Sequence, residues 1–408
     1  MKKVIWIVNQ YASHLEERHR NLASYFARRG HTTVVIASSF HHGTHEYLFE
    51  EDVKTVEREP GVWYVYLRSA PAYRSNGGKR MVNMADFCRR YLAAQAGIAS
   101  QLGAPDVVIG SSAPPFMWEI AYRTARKYGA KFIAEFRDIW PLSLVEVQGV
   151  SPGHPLVKVF AAMEKRAYRR ADAIVGTMPY AWRHVCDELG FPREKFHWMS
   201  NGLNVEKADA ALRTHTPALP AELEDFLSRC RCCVYIGSIV KSECVDYIVE
   251  CWQRVRDEDI CLAIVGDGNL SPRIDGMIRE LDPCRIRHFP SITKEQIPLA
   301  LEKAYCCLAA IPDYSIYRFG LSMNKLYDYL YAGKPVVFAC DAENIVARTG
   351  GFVVPFGDRQ AMAEAMERVR DLDAETLERI AREGKKLIRE EYDYAIIADR
   401  YLELMESL

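Results

Sequence analysis

Short, uninterrupted apolar segments alternate with helical segments along almost the whole chain. Residues 3–8 form the first apolar segment, and the helical periodicity of residues 16–29 follows it and ends at Gly30. The β-branched segment 33–37 then repeats the pattern. A strand without polar alternation is buried on both faces, as in a parallel sheet. The alternation therefore predicts an α/β protein built on doubly wound parallel sheets.

The strand–helix pattern occurs twice, and it restarts after the turn dipeptide Asn201-Gly202. In the first half it predicts further strands at 63–67, 106–109, 131–135 and 173–177, and helices at 81–101 and 155–170. In the second half it predicts strands at 232–236, 261–265, 286–289, 306–310, 335–339 and 352–354. We expect two Rossmann-like domains, residues 1–200 and 201–389, that face one another across a cleft. Residues 390–408 are expected to form a helix that crosses back to the first domain.

The composition is that of a folded globular protein. Apolar residues make up 49% of the chain and charged residues 26%, which excludes a disordered or collagen-like chain. No uncharged apolar run reaches about 18 residues, so we expect no transmembrane helix. The apolar N-terminus is interpreted as a first strand rather than a signal peptide. Only one C-x-x-C pair, Cys230 and Cys233, occurs among twelve cysteines, which argues against a zinc site. We expect the cysteines to be structural and reduced, in a cytoplasmic location.

The charge distribution is uneven. Residues 1–200 hold 27 basic and 19 acidic residues, a net charge of +8, whereas the remainder of the chain has a net charge of −9. A basic half suits an anionic partner, such as a phosphorylated acceptor or the inner-membrane surface. Ordinary solvated charge is the alternative. No nucleic-acid-binding motif is present, and no nucleic-acid partner is expected.

The strongest motif is residues 317–335, which join a strand to a helix. Ser322 is a candidate N-cap, so Asn324 and Lys325 would lie in the first helical turn, where free N–H groups and the helix dipole favour phosphate. Asp328 would share that face and suits sugar or ribose hydroxyls. The alternative is a capped helix with a local pair between Lys325 and Asp328.

Other polar residues follow predicted strands, at the sheet edge where ligands of parallel sheets bind. In the second half these are Gly237, Ser238 and Lys241 after one strand, and Gly266 and Asp267 after the next. In the first half they are Ser111 and Ser112, and then Arg137 and Asp138. Tight turns and a structural Arg137–Asp138 pair are the alternatives. There is no P-loop and no G-x-G-x-x-G after the first strand, which argues against P-loop NTPases and nicotinamide dehydrogenases.

Together with Arg18-His19, these motifs resemble the GT-B glycosyltransferases of retaining family four, in particular their WbuB-like bacterial surface-polysaccharide branch. The resemblance implies a nucleotide-sugar donor, by family habit a UDP-sugar, in the C-terminal domain and an acceptor held mainly by the N-terminal domain. It also implies transfer with retention and needs no cofactor or obligatory metal. Two departures are visible: Gly320 stands eight residues before Asp328, where the family has a glutamate, and Arg137 stands where many members have histidine.

The motifs and the resemblance together predict three groups of site residues. The catalytic group is Arg137, Asp138 and Lys325. The donor-binding group is Gly237, Ser238, Lys241, Gly266, Asp267, Arg318, Ser322, Asn324 and Asp328. The acceptor-binding group is Arg18, Ser111 and Ser112.

The expected activity is sugar transfer to a lipid-linked saccharide in cell-surface polysaccharide synthesis. The enzyme would be cytoplasmic and peripheral on the inner membrane. A non-catalytic nucleotide-binding scaffold and a UDP-sugar 2-epimerase remain as alternatives.

Overall fold

A computed structural model describes residues 2–74 and 77–408 and divides the chain into two compact units. The first unit comprises Met1–Asn201 and Tyr394–Leu408, and the second comprises Gly202–Asp393. Each unit is built around its own mainly parallel sheet, with helices between successive strands. The parallel-sheet α/β fold predicted from the sequence is therefore confirmed in each unit.

The first unit begins with strands and helices that alternate in the predicted order. Its strands are β1 (Val4–Val8), β2 (Thr32–Ser38), β3 (Phe40–His41), β4 (Glu46–Tyr47), β5 (Val53–Glu59), β6 (Val62–Leu67), β7 (Val107–Ser111), β8 (Lys131–Phe136), β9 (Ala173–Gly176) and β10 (Phe196–Trp198). Its helices before residue 202 are α1 (Glu17–Arg28), α2 (Gly78–Leu102), α3 (Phe116–Tyr128), α4 (Leu142–Glu146) and α5 (Pro155–Arg170). The main sheet has the order β10-β9-β8-β7-β1-β2-β6-β5, and β3 and β4 form a separate antiparallel pair.

Strand β5 is the antiparallel edge of this sheet, and the apolar pattern did not predict it. It carries Lys54, Glu57, Arg58 and Glu59, and most of its residues are exposed or half-buried. Charged side chains on an edge strand discourage pairing with other chains. Because these residues are charged, the strand is not recognised as a buried apolar segment.

The second unit repeats the alternation. Its strands are β11 (Arg231–Ile236), β12 (Ile260–Val265), β13 (Ile286–Phe289), β14 (Cys306–Ala310), β15 (Val336–Ala339) and β16 (Phe352–Val354). Its helices are α6 (Val205–Thr214), α7 (Ala221–Arg229), α8 (Val245–Trp252), α9 (Ser271–Ile278), α10 (Ile297–Glu302), α11 (Asn324–Tyr331), α12 (Arg359–Arg368) and α13 (Ala374–Leu387). The sheet order is β13-β12-β11-β14-β15-β16, and neighbouring strands run parallel.

The last helix, α14 (Tyr394–Ser407), belongs to the first unit. Its side chains Ile397 and Tyr401 are fully buried in the core that also contains Phe26 of α1. The rings of Phe26 and Tyr401 meet edge to face at 6.0 Å. Apolar burial of this size is the dominant force that holds a terminal helix in place.

The expectation that all cysteines are reduced is wrong in this structure. Cys230 and Cys261 form a disulfide. Cys261 lies in β12, and Cys230 directly precedes β11, the neighbouring parallel strand. The two cysteines therefore meet through strand pairing, although 31 residues separate them in sequence. Across the described residues, every helix is too short or too polar to cross a membrane.

Candidate functional site

A cavity of about 400 Å³ opens in the second unit where β11 ends and α11 begins. Many of the residues that line it were predicted from the sequence: Gly237, Ser238, Ser322, Asn324, Lys325 and Asp328. The first turn of α11 therefore borders the cavity, and a helix N-terminus directs partly positive N–H groups toward a bound anion.

Lys325 is the central cation of this cavity. Its Nζ donates to the Tyr235 hydroxyl at 2.9 Å, lies 4.3 Å from the centre of that ring and pairs with the carboxylate of Glu243. The side chain is only 10% exposed. Burial lowers the pKa of Lys325, and Glu243 opposes that effect only in part. An anion entering the cavity would meet a poorly hydrated ammonium group, where electrostatic attraction is stronger than in bulk water.

Two glycines keep the backbone open beside Lys325. A Cβ on Gly237 would lie 2.9 Å from Nζ of Lys325, and a Cβ on Gly266 would lie 1.9 Å from the carbonyl oxygen of Gly237. Both positions follow neighbouring parallel strands, β11 and β12, and the Gly237 amide donates to Val265 at 3.0 Å. A side chain at position 266 would collide with the backbone, so glycine is required there, whereas a side chain at position 237 would displace the end of Lys325.

Asp328 is buried and pairs with Lys294. Nζ of Lys294 lies 2.8 and 2.6 Å from the two carboxylate oxygens, and Asp328 is 6% exposed. The alternative of a local Lys325–Asp328 pair is therefore wrong, since each side chain finds its partner on another element. Tertiary contacts override the one-turn spacing that suggested the local pair.

Ser322 is not the N-cap of α11. The cap position is Met323, the helix begins at Asn324, and no side chain caps it. The Ser322 hydroxyl instead lies 3.2 Å from that of Tyr327. Ser322 still lines the cavity, but the reason given for it from the sequence was incorrect.

Four predicted donor residues lie outside the cavity lining. Lys241 is exposed at the start of a short 3₁₀ turn, and Gly266 serves backbone packing. The Asp267 carboxylate accepts from the Ser291 amide at 2.8 Å, and this bond lowers its pKa. Arg318 is exposed, donates to the Ser315 carbonyl at 2.7 Å and stacks over Phe319. In this structure Asp267 and Arg318 are engaged in holding their own loops.

Two charged residues of the cavity lining, Glu243 and Lys294, were not predicted from the sequence. Glu243 lies just beyond the predicted site residues Gly237, Ser238 and Lys241, two residues after the last of them. Lys294 follows β13 and carries no local signal, because only tertiary folding brings it to Asp328. The cavity lining thus contains two lysines and two carboxylates, arranged as two ion pairs.

In the first unit, a buried charge network is centred on Glu135 of β8, which is 0% exposed. Its carboxylate accepts from Arg18 at 2.9 Å, from Ser111 at 2.6 Å and from Tyr401, and it contacts His19 at 2.9 Å. Burial alone raises the pKa of Glu135, but Arg18 and His19 outweigh it and hold the pKa well below its usual range. The network ties α1, β7, β8 and α14 together.

Arg18 has no N–H group left to bind a saccharide acceptor. Nε and Nη2 bind Glu135, and Nη1 and Nη2 donate to the carbonyls of Ser200 and Met199 at 2.6 and 2.8 Å. Ser111 is likewise fully buried, with its hydroxyl on Glu135. Both residues therefore hold the buried Glu135 carboxylate, and the structure does not support the expected contacts with a saccharide acceptor.

Arg137 and Asp138 follow β8 but do not pair with each other. Arg137 Nη1 lies 3.0 Å from Glu16, and its Nε donates to the Ser112 carbonyl at 3.1 Å. Burial alone raises the pKa of Glu16, but His19 and Arg137 outweigh it and lower the pKa to about 2. The Asp138 side chain is exposed. The buried Ser112 hydroxyl has no hydrogen-bond partner among the described residues.

No cluster of metal-ligating side chains occurs within residues 2–74 and 77–408. The candidate site is therefore built from ammonium groups, carboxylates, glycine backbone and a helix N-terminus. Such a set can bind phosphate oxygens and sugar hydroxyls.

Two family models match consecutive parts of the chain. The first, described as a glycosyl transferase 4-like domain, matches residues 15–202. The second, described as glycosyl transferases group 1, matches residues 230–371 and includes the whole cavity lining. The two matches lie in the first and second units, respectively, apart from one residue at the boundary.

Curated relatives agree with these models, and a solved structure shares the fold. WcaI of Escherichia coli strain K12, named as a colanic acid biosynthesis glycosyl transferase, is 21% identical over 298 residues, which are 70% of each chain. WbjE of Pseudomonas aeruginosa, named as a glycosyltransferase, is 21% identical over 312 residues, or 74% of this chain and 75% of its own. The structure of Anabaena HepE in complex with UDP-glucose has a TM-score of 0.67 at 12% identity and covers both chains completely.

Proposed function

This chain is a glycosyltransferase of the GT-B fold, and we propose that it transfers a sugar from a UDP-sugar to a saccharide acceptor with retention of anomeric configuration. The observation that carries the proposal is the cavity around Lys325. It combines a buried ammonium group, an open glycine backbone and the start of α11 at one sheet edge. The UDP-glucose complex of HepE supports a uridine nucleotide as the donor.

The chemistry of the proposed reaction follows from the leaving group. When the sugar–phosphate bond breaks, negative charge grows on the departing diphosphate oxygen. Lys325 and the N–H groups at the start of α11 would stabilise that charge, and such preorganised donors favour the transition state over the ground state. Asp328 is proposed to accept hydrogen bonds from ribose hydroxyls, with Lys294 holding its carboxylate in place.

The acceptor is proposed to bind at the carboxyl edge of the first sheet. Ser112 and Asp138 follow β7 and β8 there, and Ser112 has an unused buried hydroxyl. Arg137 is held by Glu16 and could contact a phosphate on the acceptor. The name of WcaI refers to colanic acid biosynthesis and supports a role in polysaccharide synthesis, for which we propose a lipid-linked saccharide acceptor. An enzyme with such an acceptor would act at the cytoplasmic face of the membrane.

A transfer assay tests the proposal. The protein is incubated with UDP-glucose, UDP-galactose or UDP-N-acetylglucosamine and with membrane lipid extract, in the presence of EDTA. The expected result is UDP release with transfer of label into the lipid fraction, lost in Lys325→Met. Lys303→Met is the matched control, because Lys303 pairs with Glu224 and does not line the cavity. Turnover of GDP-sugars alone would contradict the uridine donor, and inversion of the product would contradict retention.

A further inference from the structure

Glu243 holds the position at which an anion would bind Lys325. Its carboxylate contacts Nζ directly, and the Tyr235 hydroxyl accepts from the same nitrogen at 2.9 Å. The Lys325 side chain is 10% exposed and that of Glu243 is 23% exposed. Lys325 is thus nearly closed off by the protein, while the carboxylate that neutralises it retains access to solvent.

The charges of the cavity lining cancel. Its described cations are Lys294 and Lys325, and its described anions are Asp328 and Glu243, each paired across elements. A nucleoside diphosphate carries negative charge on both phosphates. If all four side chains kept their places, the ligand would enter a neutral cavity with Glu243 beside its phosphates. Like charges at such distances repel strongly in a partly buried site.

Glu243 is the more exposed of the two carboxylates and lies on the shorter element. It ends a 3₁₀ turn of only three residues, Lys241–Glu243, whereas Asp328 is 6% exposed within α11. The next residue, Cys244, has a left-handed φ of 45°, which only a minority of non-glycine residues adopt. The charged and titratable groups that face Glu243 are Lys325, Tyr235, Tyr317, Tyr329 and Cys244. Lys325 is the cation among them.

We propose that Glu243 is an internal substitute for the donor diphosphate, which pairs with Lys325 in the empty site and is displaced when the donor binds. The inference rests on the proposed function and adds a residue that sets donor affinity. Glu243 stabilises the empty protein by neutralising a buried ammonium group, and it weakens donor binding because that pair must first be broken. Stability and affinity are therefore predicted to change in opposite directions when the carboxylate is removed.

The test is calorimetric titration of UDP into the wild type, Glu243→Gln and a control, Glu250→Gln. Glu250 likewise forms an ion pair, with Arg359, but it does not line the cavity. Glu243→Gln is expected to bind UDP about tenfold more tightly than wild type, or 1.4 kcal/mol, and its ligand-free form is expected to melt at a lower temperature. Glu250→Gln is expected to bind UDP as the wild type does. The gain is expected to shrink in a Lys325→Met background, because the two residues are coupled.

Each outcome separates this inference from the proposed function. If the wild type binds UDP and Glu243→Gln binds it equally or more weakly, the displacement idea is wrong while the donor assignment stands. A loss of both stability and affinity would make Glu243 a structural residue or a direct ligand contact. If neither protein binds UDP, both proposals fail. Should Glu243→Gln not fold, Glu243→Ser provides the same comparison, since serine also removes the carboxylate that pairs with Lys325.

Discussion

Arg18→Met should destabilise the first unit strongly, although the sequence suggested Arg18 as an acceptor contact. Methionine keeps the length and the apolar stem of the side chain but donates no hydrogen bond. The change would leave Glu135 buried without its arginine, and the carbonyls of Met199 and Ser200 would lose their donor. Both members of the pair are at most 2% exposed. Removal of one partner from a buried ion pair costs about 3–5 kcal/mol, and we expect a loss in that range.

Urea unfolding monitored by tryptophan fluorescence measures this loss. Six of the seven tryptophans precede residue 201, so the signal reports mainly on the first unit. With an m-value of about 3 kcal/mol/M, the midpoint of this transition should fall by about 1 M or more. The control is Arg29→Met, whose partner Asp399 is 41% exposed, and it should cost less than about 1 kcal/mol. A loss below 1 kcal/mol for Arg18→Met, together with a raised acceptor KM, would refute the structural assignment.

Three further changes have defined outcomes. Lys325→Met should lower kcat by at least about 100-fold, the scale of losing one preorganised charge contact, and a loss of tenfold or less in steady-state kinetics would contradict its role. Gly266→Ala should abolish UDP binding or folding of the second unit, because its Cβ would collide with Gly237, and circular dichroism with titration distinguishes the two. Glu16 has a pKa of about 2 in the folded protein and an ordinary value of 4.5, so its contribution to stability is complete above about pH 4.5 and is lost as pH falls toward 2. Glu16→Gln should therefore show a weaker dependence of unfolding free energy on pH in that interval than wild type, and an equal dependence would be inconsistent with the depressed pKa.

The strands were predictable because burial on both faces leaves a local signature. Segments 286–289, 306–310 and 352–354 coincide with β13, β14 and β16, and the other predicted strands differ mostly at their ends. Strand β5 was not predicted, because it is a charged strand at an exposed edge of the sheet. The α11 region was placed correctly as strand, loop and helix, although its N-cap was not.

The candidate site was predictable in its glycines and in Lys325, but not in its ion pairs. Local spacing suggested that Lys325 and Asp328 form a pair, whereas folding gives them Glu243 and Lys294. Arg18 is the converse case, a residue that was predicted to bind a ligand and that has a structural role. An arginine at the start of the first helix is compatible with ligand binding, and only the burial of Glu135 beside it reveals the structural role. Partners that are distant in sequence decide which charges remain available to a ligand.

The most direct test of the account is a titration of UDP, GDP, ADP and CMP against the wild type and Lys325→Met, without divalent metal. The account predicts selective stabilisation of the wild type by UDP, of about 2.7 kcal/mol at 100 times the dissociation constant, and a much smaller effect in Lys325→Met. Equal stabilisation of both proteins by UDP would contradict the placement of the diphosphate at Lys325. The absence of stabilisation by any nucleotide would contradict the donor site itself.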